Sequence, residues 1–142
     1  MATSIRKIFI DASVLTAFVD RGNQRHLRAA KAFEVTASIG YRLYTTPPII
    51  VEAYEELKQQ VGTTVALEFL QTMLQSGIEI IFKQKTDLNA AFRIIKINRS
   101  ERISLDEAIN AALMQRKGIT QILTFAPWHN LFGTTTSTLV TI

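Results

Sequence analysis

The sequence predicts an α/β fold in three layers, α/β/α, around a central parallel sheet of four or five strands. Two observations carry this expectation. Short apolar runs alternate with longer segments whose apolar residues recur at helical spacing. Pro, Gly and capping residues stand at the boundaries between them. Strands that alternate with helices pair in parallel and are covered on both faces.

KIFI, Lys7 to Ile10, reads as a buried strand. The next segment places Val14, Leu15, Phe18 and Val19 on one helical face. Asn23 is suited to cap a second helix that runs to about Ala37. YRLYTT, Tyr41 to Thr46, alternates as a second strand. Pro47 and Pro48 stand where a third helix begins, a place where a missing N–H costs little. That helix is expected to bury Ile50, Ala53, Tyr54, Leu57 and Val61. Gly62 breaks it, and Thr63 or Thr64 opens a fourth helix to about Gln75. Gly77 leads into a third strand, Ile78 to Phe82. A fifth helix from about Thr86 carries Leu88, Ala91, Phe92 and Ile95. Ser104 opens a sixth, to about Lys117, with Leu105, Ala108, Ile109, Ala112 and Leu113 as its apolar face. Gly118 ends it, TQILTF (Thr120 to Phe125) is a fourth strand, and the terminal STLVTI is a candidate fifth.

The chain fits a single domain, 1–142, without repeats or linkers. It has no cysteine, which excludes disulfides and thiolate metal sites, and only two histidines, His26 and His129. No apolar run approaches the ~20 residues of a membrane span, so no membrane partner is expected. The N-terminal apolar run reaches Asp11 too soon for a secretory signal, which points to the cytoplasm. Sixteen Lys and Arg against twelve Asp and Glu leave a net charge of +4, which suits an anionic partner or plain solubility.

In a parallel sheet the ligand site lies beyond the carboxyl ends of the strands. Asp11 follows the first strand directly, so it reads either as a helix N-cap or as a functional carboxylate. Ser13, two residues on, is placed to hold that carboxylate or a metal-bound water. Glu52 lies off the apolar face of the third helix, in its first turns; its neighbours Glu55 and Glu56 share the polar side, where glutamates are commonly just solvated. Ser104 and Glu107 have the letters of a capping box, and Asp106 suits the positive end of the same helix. Asp20, Glu34, Glu68, Glu79, Asp87 and Glu101 read as ordinary surface acids. There is no Gly-rich phosphate loop and no G-x-S-x-G nucleophile turn.

With these pieces in order, the chain resembles the PIN-domain family, and within it the VapC-like toxin ribonucleases. The resemblance rests on IFIDASVLTAFVDRGNQRHLRAAKAF, YTTPPIIVEAYEEL and ISLDEAINAALMQRKGITQILTFAPWHNLFG. The family pattern has an acid after the first strand, a Glu in the helix after the second, an Asp opening a late helix, and a fourth acid after the last well-marked strand. Carried over, these fall on Asp11, Glu52 and Glu107, with Asp106 as the neighbouring candidate for the third. The fourth position holds Ala126, a departure that bears on metal affinity and catalysis. His129 and Asn130 lie close enough in sequence to substitute in part, Asn130 with the harder donor. His26 also falls on a common family position, where packing or capping is the plainer role.

The resemblance implies a metal-dependent endoribonuclease using Mg2+ or Mn2+, the toxin of a toxin–antitoxin pair. Hard cations of this kind take oxygen ligands and keep several waters, and they activate water and neutralise an attacked phosphate. It implies an RNA substrate, a cognate antitoxin and a homodimer. Two basic rows, Arg21, Arg25, Arg28 and Lys31, and Arg93, Lys96, Arg99 and Arg102, are each expected on one face, to track a phosphate backbone or simply to be solvated. Tyr44, Tyr54 and Trp128 are candidates for stacking on bases, with core packing the plainer role for the tyrosines. The alternative is a degenerate module that binds RNA or a protein without cutting, favoured by Ala126. A receiver-like phospho-acceptor is disfavoured, because no acceptor Asp and Lys pair stands at later strand ends.

Overall fold

Lys7–Ile10 forms strand β1, and Ile8, Phe9 and Ile10 are all fully buried, so both faces of the strand are covered. The computed structural model to which this belongs describes residues 5–126 and Thr135–Thr136. Trp128, His129, Asn130 and the candidate strand STLVTI lie outside the described residues.

Helices α1 (Ala12–Val19) and α2 (His26–Ile39) follow, then β2 (Arg42–Thr45), α3 (Pro47–Gln60) and α4 (Thr63–Gln75). Strand β3 (Glu79–Ile80), α5 (Lys85–Ile97), α6 (Leu105–Arg116), β4 (Gln121–Leu123) and β5 (Thr135–Thr136) complete the order. The five strands form one parallel sheet in the order β3-β2-β1-β4-β5, within a three-layer α/β/α arrangement. Helix α1 packs on α2 and α3, α3 on α4, and α5 on α6. The chain winds outward from β1 through β2 to β3 and then crosses back to β4, so the topological switch lies between β1 and β4.

The local signals explain most boundaries. Thr46 caps α3 through its hydroxyl, which accepts from the Ile49 N–H, with Pro47 at the first helical position. Gly40 ends α2 in the left-handed conformation (φ 89°), which only glycine adopts without strain. Ser104 and Glu107 form the expected capping box of α6.

Three expectations are corrected. On α5 the buried stripe runs through Asp87 and Ala91, while Leu88 and Phe92 are exposed; Leu105 and Val61 are exposed as well. Asp87 is not a surface acid: it is 2% exposed, and its carboxylate accepts from Arg116 Nε at 2.8 Å and Arg116 Nη2 at 3.0 Å. It also accepts from the Gln84 N–H at 2.8 Å, capping α5. The basic rows do not lie on single helical faces. Arg21 and Arg25 precede α2, because Asp20 and Asn23 accept from the Gly22 and Arg25 N–H groups and turn the chain there. Helix α5 ends at Ile97, leaving Arg99 in a 3-10 turn, Arg99–Glu101, and Arg102 in a left-handed conformation at φ 52°.

Candidate active site

Asp11 leaves β1 in extended conformation (φ −87°, ψ 162°) at the N-cap of α1, yet its side chain makes no capping bond. Oδ2 instead accepts from Thr124 Oγ1 at 2.7 Å and from Ser13 Oγ at 3.2 Å. Thr124 directly follows β4, which pairs with β1 in the sheet, so two strand ends meet through one carboxylate. The Phe125 N–H donates to Ser13 Oγ at 2.9 Å, and the Ala126 N–H to Thr124 Oγ1 at 3.0 Å. The first acid is therefore held by hydroxyls that are themselves held by backbone.

These residues open on a cleft of about 540 Å³ beyond the carboxyl ends of β1, β2 and β4. Asp11, Glu52, Asp106 and Glu107 line it together with Asn110 and Ala126. Among the described residues, larger hollows of about 1030 and 780 Å³ lie around Arg6, Tyr41 and the amino ends of strands, and one of about 590 Å³ lies between Phe92 of α5 and Leu105 of α6; no acid lines any of them. The carboxyl-end cleft is the one with chemistry.

Glu52 reaches the cleft from α3, which Thr46 anchors at the end of β2; the Thr46 hydroxyl also donates to Asn110 Oδ1 at 3.1 Å. Partial desolvation pushes the Glu52 carboxyl above its ordinary value, and the negative charges of Asp11, Glu56 and Asp106 push it further the same way. Glu107 accepts at Oε1 from Ser104 Oγ at 3.3 Å and makes the long edge of the capping box to the Ser104 N–H at 3.5 Å. Asp106, one residue earlier, is exposed at the rim. Both third-acid candidates thus line one cleft, Glu107 engaged with its cap and Asp106 acting on Glu52.

The donors fit a hard divalent cation in kind: all are oxygens, and like-charge crowding raises Glu52. Among the described residues no three His, Cys, Asp or Glu side chains are drawn into a finished cage. The acids instead stand on the walls of an open cleft, a geometry suited to an ion that keeps several waters. Ala126 brings a methyl group to that wall.

Elsewhere, His26 is a packing residue: its Nδ1 donates to the Ala17 carbonyl at 3.0 Å and its ring lies 6.4 Å from that of Phe18. Arg25 and Arg28 both stand over the ring of Phe125, while Arg21 is exposed in the α1–α2 turn. Arg99 and Arg102 are exposed just ahead of Ser104. Tyr44 is 3% exposed and belongs to the core. Sequence reasoning missed Thr124, Asn110 and Phe125; the only signal for Thr124 was its place at the end of a strand.

The fold is a parallel α/β sheet with acids gathered at its switch point, and the PIN-domain family model matches residues 8–125. The chain belongs to the PIN-domain family. No curated protein matches the sequence. Its fold is similar to that of VapC20 of Mycobacterium tuberculosis, a sarcin–ricin-loop-cleaving toxin (TM-score 0.73, 21% identity, covering 84% of this chain and 89% of that one). It is also similar to VapBC2 of Rickettsia felis, solved bound to a DNA fragment from its promoter (TM-score 0.66, 9% identity, 84% and 88%). A third likeness is to PAE2754 of Pyrobaculum aerophilum (TM-score 0.59, 15% identity, 92% and 89%). At these identities the likeness is one of fold. Among the described residues no helix is long and apolar enough to cross a membrane.

Proposed function

We propose that the chain is a divalent-metal-dependent endoribonuclease of the cytoplasm, the toxin of a toxin–antitoxin pair, using Mg2+ or Mn2+. One observation carries the reading: Asp11, Glu52, Asp106 and Glu107, from three separate stretches of chain, line one cleft at the switch point of a PIN fold. The toxin identity of the VapC neighbours supports the biological role, and the VapBC pairing of one supports a cognate antitoxin. A homodimer is part of the same proposal.

In this reading Asp11, Glu52 and Glu107 hold the cation, with Asp106 adding charge at the rim. The ion, when bound, would supply an acidified water and offset charge on the attacked phosphodiester. Asp11 is fixed by Thr124 and Ser13 at Oδ2, and its Oδ1 accepts no hydrogen bond among the described residues. Glu52 gains most from a cation, because its charge is crowded by Asp11, Glu56 and Asp106. Thr46 and Asn110 tie the start of α3 to α6 and keep Glu52 and Glu107 on facing walls.

A second reading, a PIN-fold module that binds RNA or a protein without cutting, is favoured by Ala126 on the cleft wall. Incubation of the purified chain with structured RNA, in Mn2+ and in EDTA, separates the two. A ribonuclease yields metal-dependent fragments with 5′-phosphate ends; a binding module shifts the RNA and leaves it whole.

A further inference from the structure

We propose that Arg25 and Arg28, seated on the ring of Phe125, form a phosphate-binding subsite that holds the RNA backbone beside the acidic cleft. The guanidinium carbons lie 5.4 and 5.0 Å from the ring centroid. Phe125 is part of the site's own framework. Its N–H is bonded to Ser13, it follows the threonine that holds Asp11, and it precedes Ala126 on the cleft wall. The aromatic platform and the first acid therefore lie at the adjoining carboxyl ends of β4 and β1, tied together by Ser13 and Thr124.

The two cations are spent on no acid. Neither Arg25 nor Arg28 forms an ion pair among the described residues, whereas Arg116 is locked on Asp87. Nε of Arg28 is withdrawn from water and has no hydrogen-bond acceptor among the described residues. An arginine held by an aromatic face rather than by a carboxylate keeps its charge uncompensated and its fork pre-organised, which is the state a phosphate oxygen recognises. The need is specific to this cleft. Its carboxylates repel a polyanion, so a substrate requires a fixed cation next to them that does not depend on the metal. Two guanidiniums on one ring meet that need for an extended phosphodiester chain.

This subsite rests on the ribonuclease reading, and the experiment separates the two. Fluorescence anisotropy of a labelled single-stranded RNA is measured in EDTA, where no cleavage occurs, over a range of salt. The double variant Arg25→Ala, Arg28→Ala is expected to bind at least ~10-fold more weakly. Its log affinity should fall with log salt by a slope smaller by about 1.4, the value for two lost contacts on a single strand. Arg28→Lys should restore slope more than affinity, and Phe125→Leu should weaken binding where Phe125→Tyr does not. Thermal melts confirm that each variant is folded. If the native chain binds and cuts RNA and the double variant binds with unchanged affinity and slope, the subsite is wrong and the ribonuclease reading stands. If the native chain neither binds RNA in EDTA nor cuts it in Mn2+, both fall. Binding of an acidic peptide through these arginines with no RNA binding overturns the subsite in favour of a protein-docking face.

Discussion

The hydroxyl of Thr124 donates to Oδ2 of Asp11 at 2.7 Å and ties the carboxyl end of β4 to that of β1. The same carboxylate oxygen accepts from Ser13, whose Oγ also lies 3.2 Å from that of Thr124. Three side chains at the switch point form one small network with a single carboxylate at its centre. Outer partners of this kind orient a metal ligand, and their loss typically costs ~10- to 100-fold in affinity. Thr124→Val keeps the shape and removes the donor. The expected outcome is Mn2+ binding weakened at least ~10-fold with little change in thermal stability, measured by calorimetric titration.

The two acids at the start of α6 are separable. Glu107→Gln preserves the capping box, since Gln also serves at that position, so any change in metal affinity reports the lost charge. It should weaken Mn2+ binding by at least ~10-fold, because losing a ligand costs no less than losing an outer partner of one. Asp106→Asn should weaken it less and, by removing one of the charges crowding Glu52, lower the Glu52 pKa. Carboxylate NMR titration of both variants checks this, and a larger metal effect at Asp106 would exchange their roles.

Glu52 also sets a pH dependence. Its folded carboxyl titrates above the ordinary value of 4.5, so the metal-free fold holds this proton more tightly than the unfolded chain does. Its contribution to stability is then favourable at acid pH and is lost as pH rises from about 4.5 through the raised folded value. Protons compete with the cation over the same window, so Mn2+ affinity should climb with pH there. Glu52→Gln should remove this contribution in metal-free melts and weaken Mn2+ binding.

Ala126→Asp supplies the missing acid on the cleft wall. An added carboxylate should tighten Mn2+ binding and raise any cleavage rate, with the larger gain at low metal. It should also crowd Glu52 further and destabilise the metal-free protein. Titration of cleavage against Mn2+ for native and variant proteins checks both effects.

The Asp87–Arg116 pair lies outside the cleft and is expected to act on stability alone. Burial pushes the Asp87 carboxyl up, but the hydrogen bonds from Arg116 and from the Gln84 N–H, with the charge of Arg116, outweigh it and leave the net value below 3.8. Asp87 therefore adds stability above its unfolded pKa that is lost as pH falls through the lower folded value. Asp87→Asn should cost about 1.5 kcal/mol at neutral pH, the scale of a weakened hydrogen bond to a charged group, and flatten the acid limb of the stability profile, with RNA cleavage per folded molecule unchanged.

Much of the fold was legible because burial and periodicity coincide. Ile8, Phe9 and Ile10 of KIFI are buried, Pro47 opens α3, and Ser104 and Glu107 cap α6, all from local signals. The sequence misled where a tertiary partner overrode the local pattern. Asp87 looked like a solvent acid because Arg116, 29 residues away, cannot be paired with it by spacing. The first basic row looked helical because Asn23 was read as a cap, whereas its side chain turns the chain ahead of α2; the second runs past the end of α5 at Ile97. In the site, Asp11, Glu52 and Glu107 were identifiable as candidates from strand ends and family pattern. Thr124 was not, because its contact with Asp11 exists only once β4 pairs beside β1.

The most direct test of a metal-dependent ribonuclease site centred on Asp11 is one paired measurement. Native chain and Asp11→Asn are titrated with Mn2+ while binding is followed by calorimetry and RNA cleavage by gel, with folding confirmed by thermal melt. The expected result is saturable Mn2+ binding and Mn2+-dependent cleavage, however weak, by the native chain, and loss of both in a folded Asp11→Asn. Cleavage by Asp11→Asn at the native rate, or cleavage by the native chain that persists in EDTA, would contradict it.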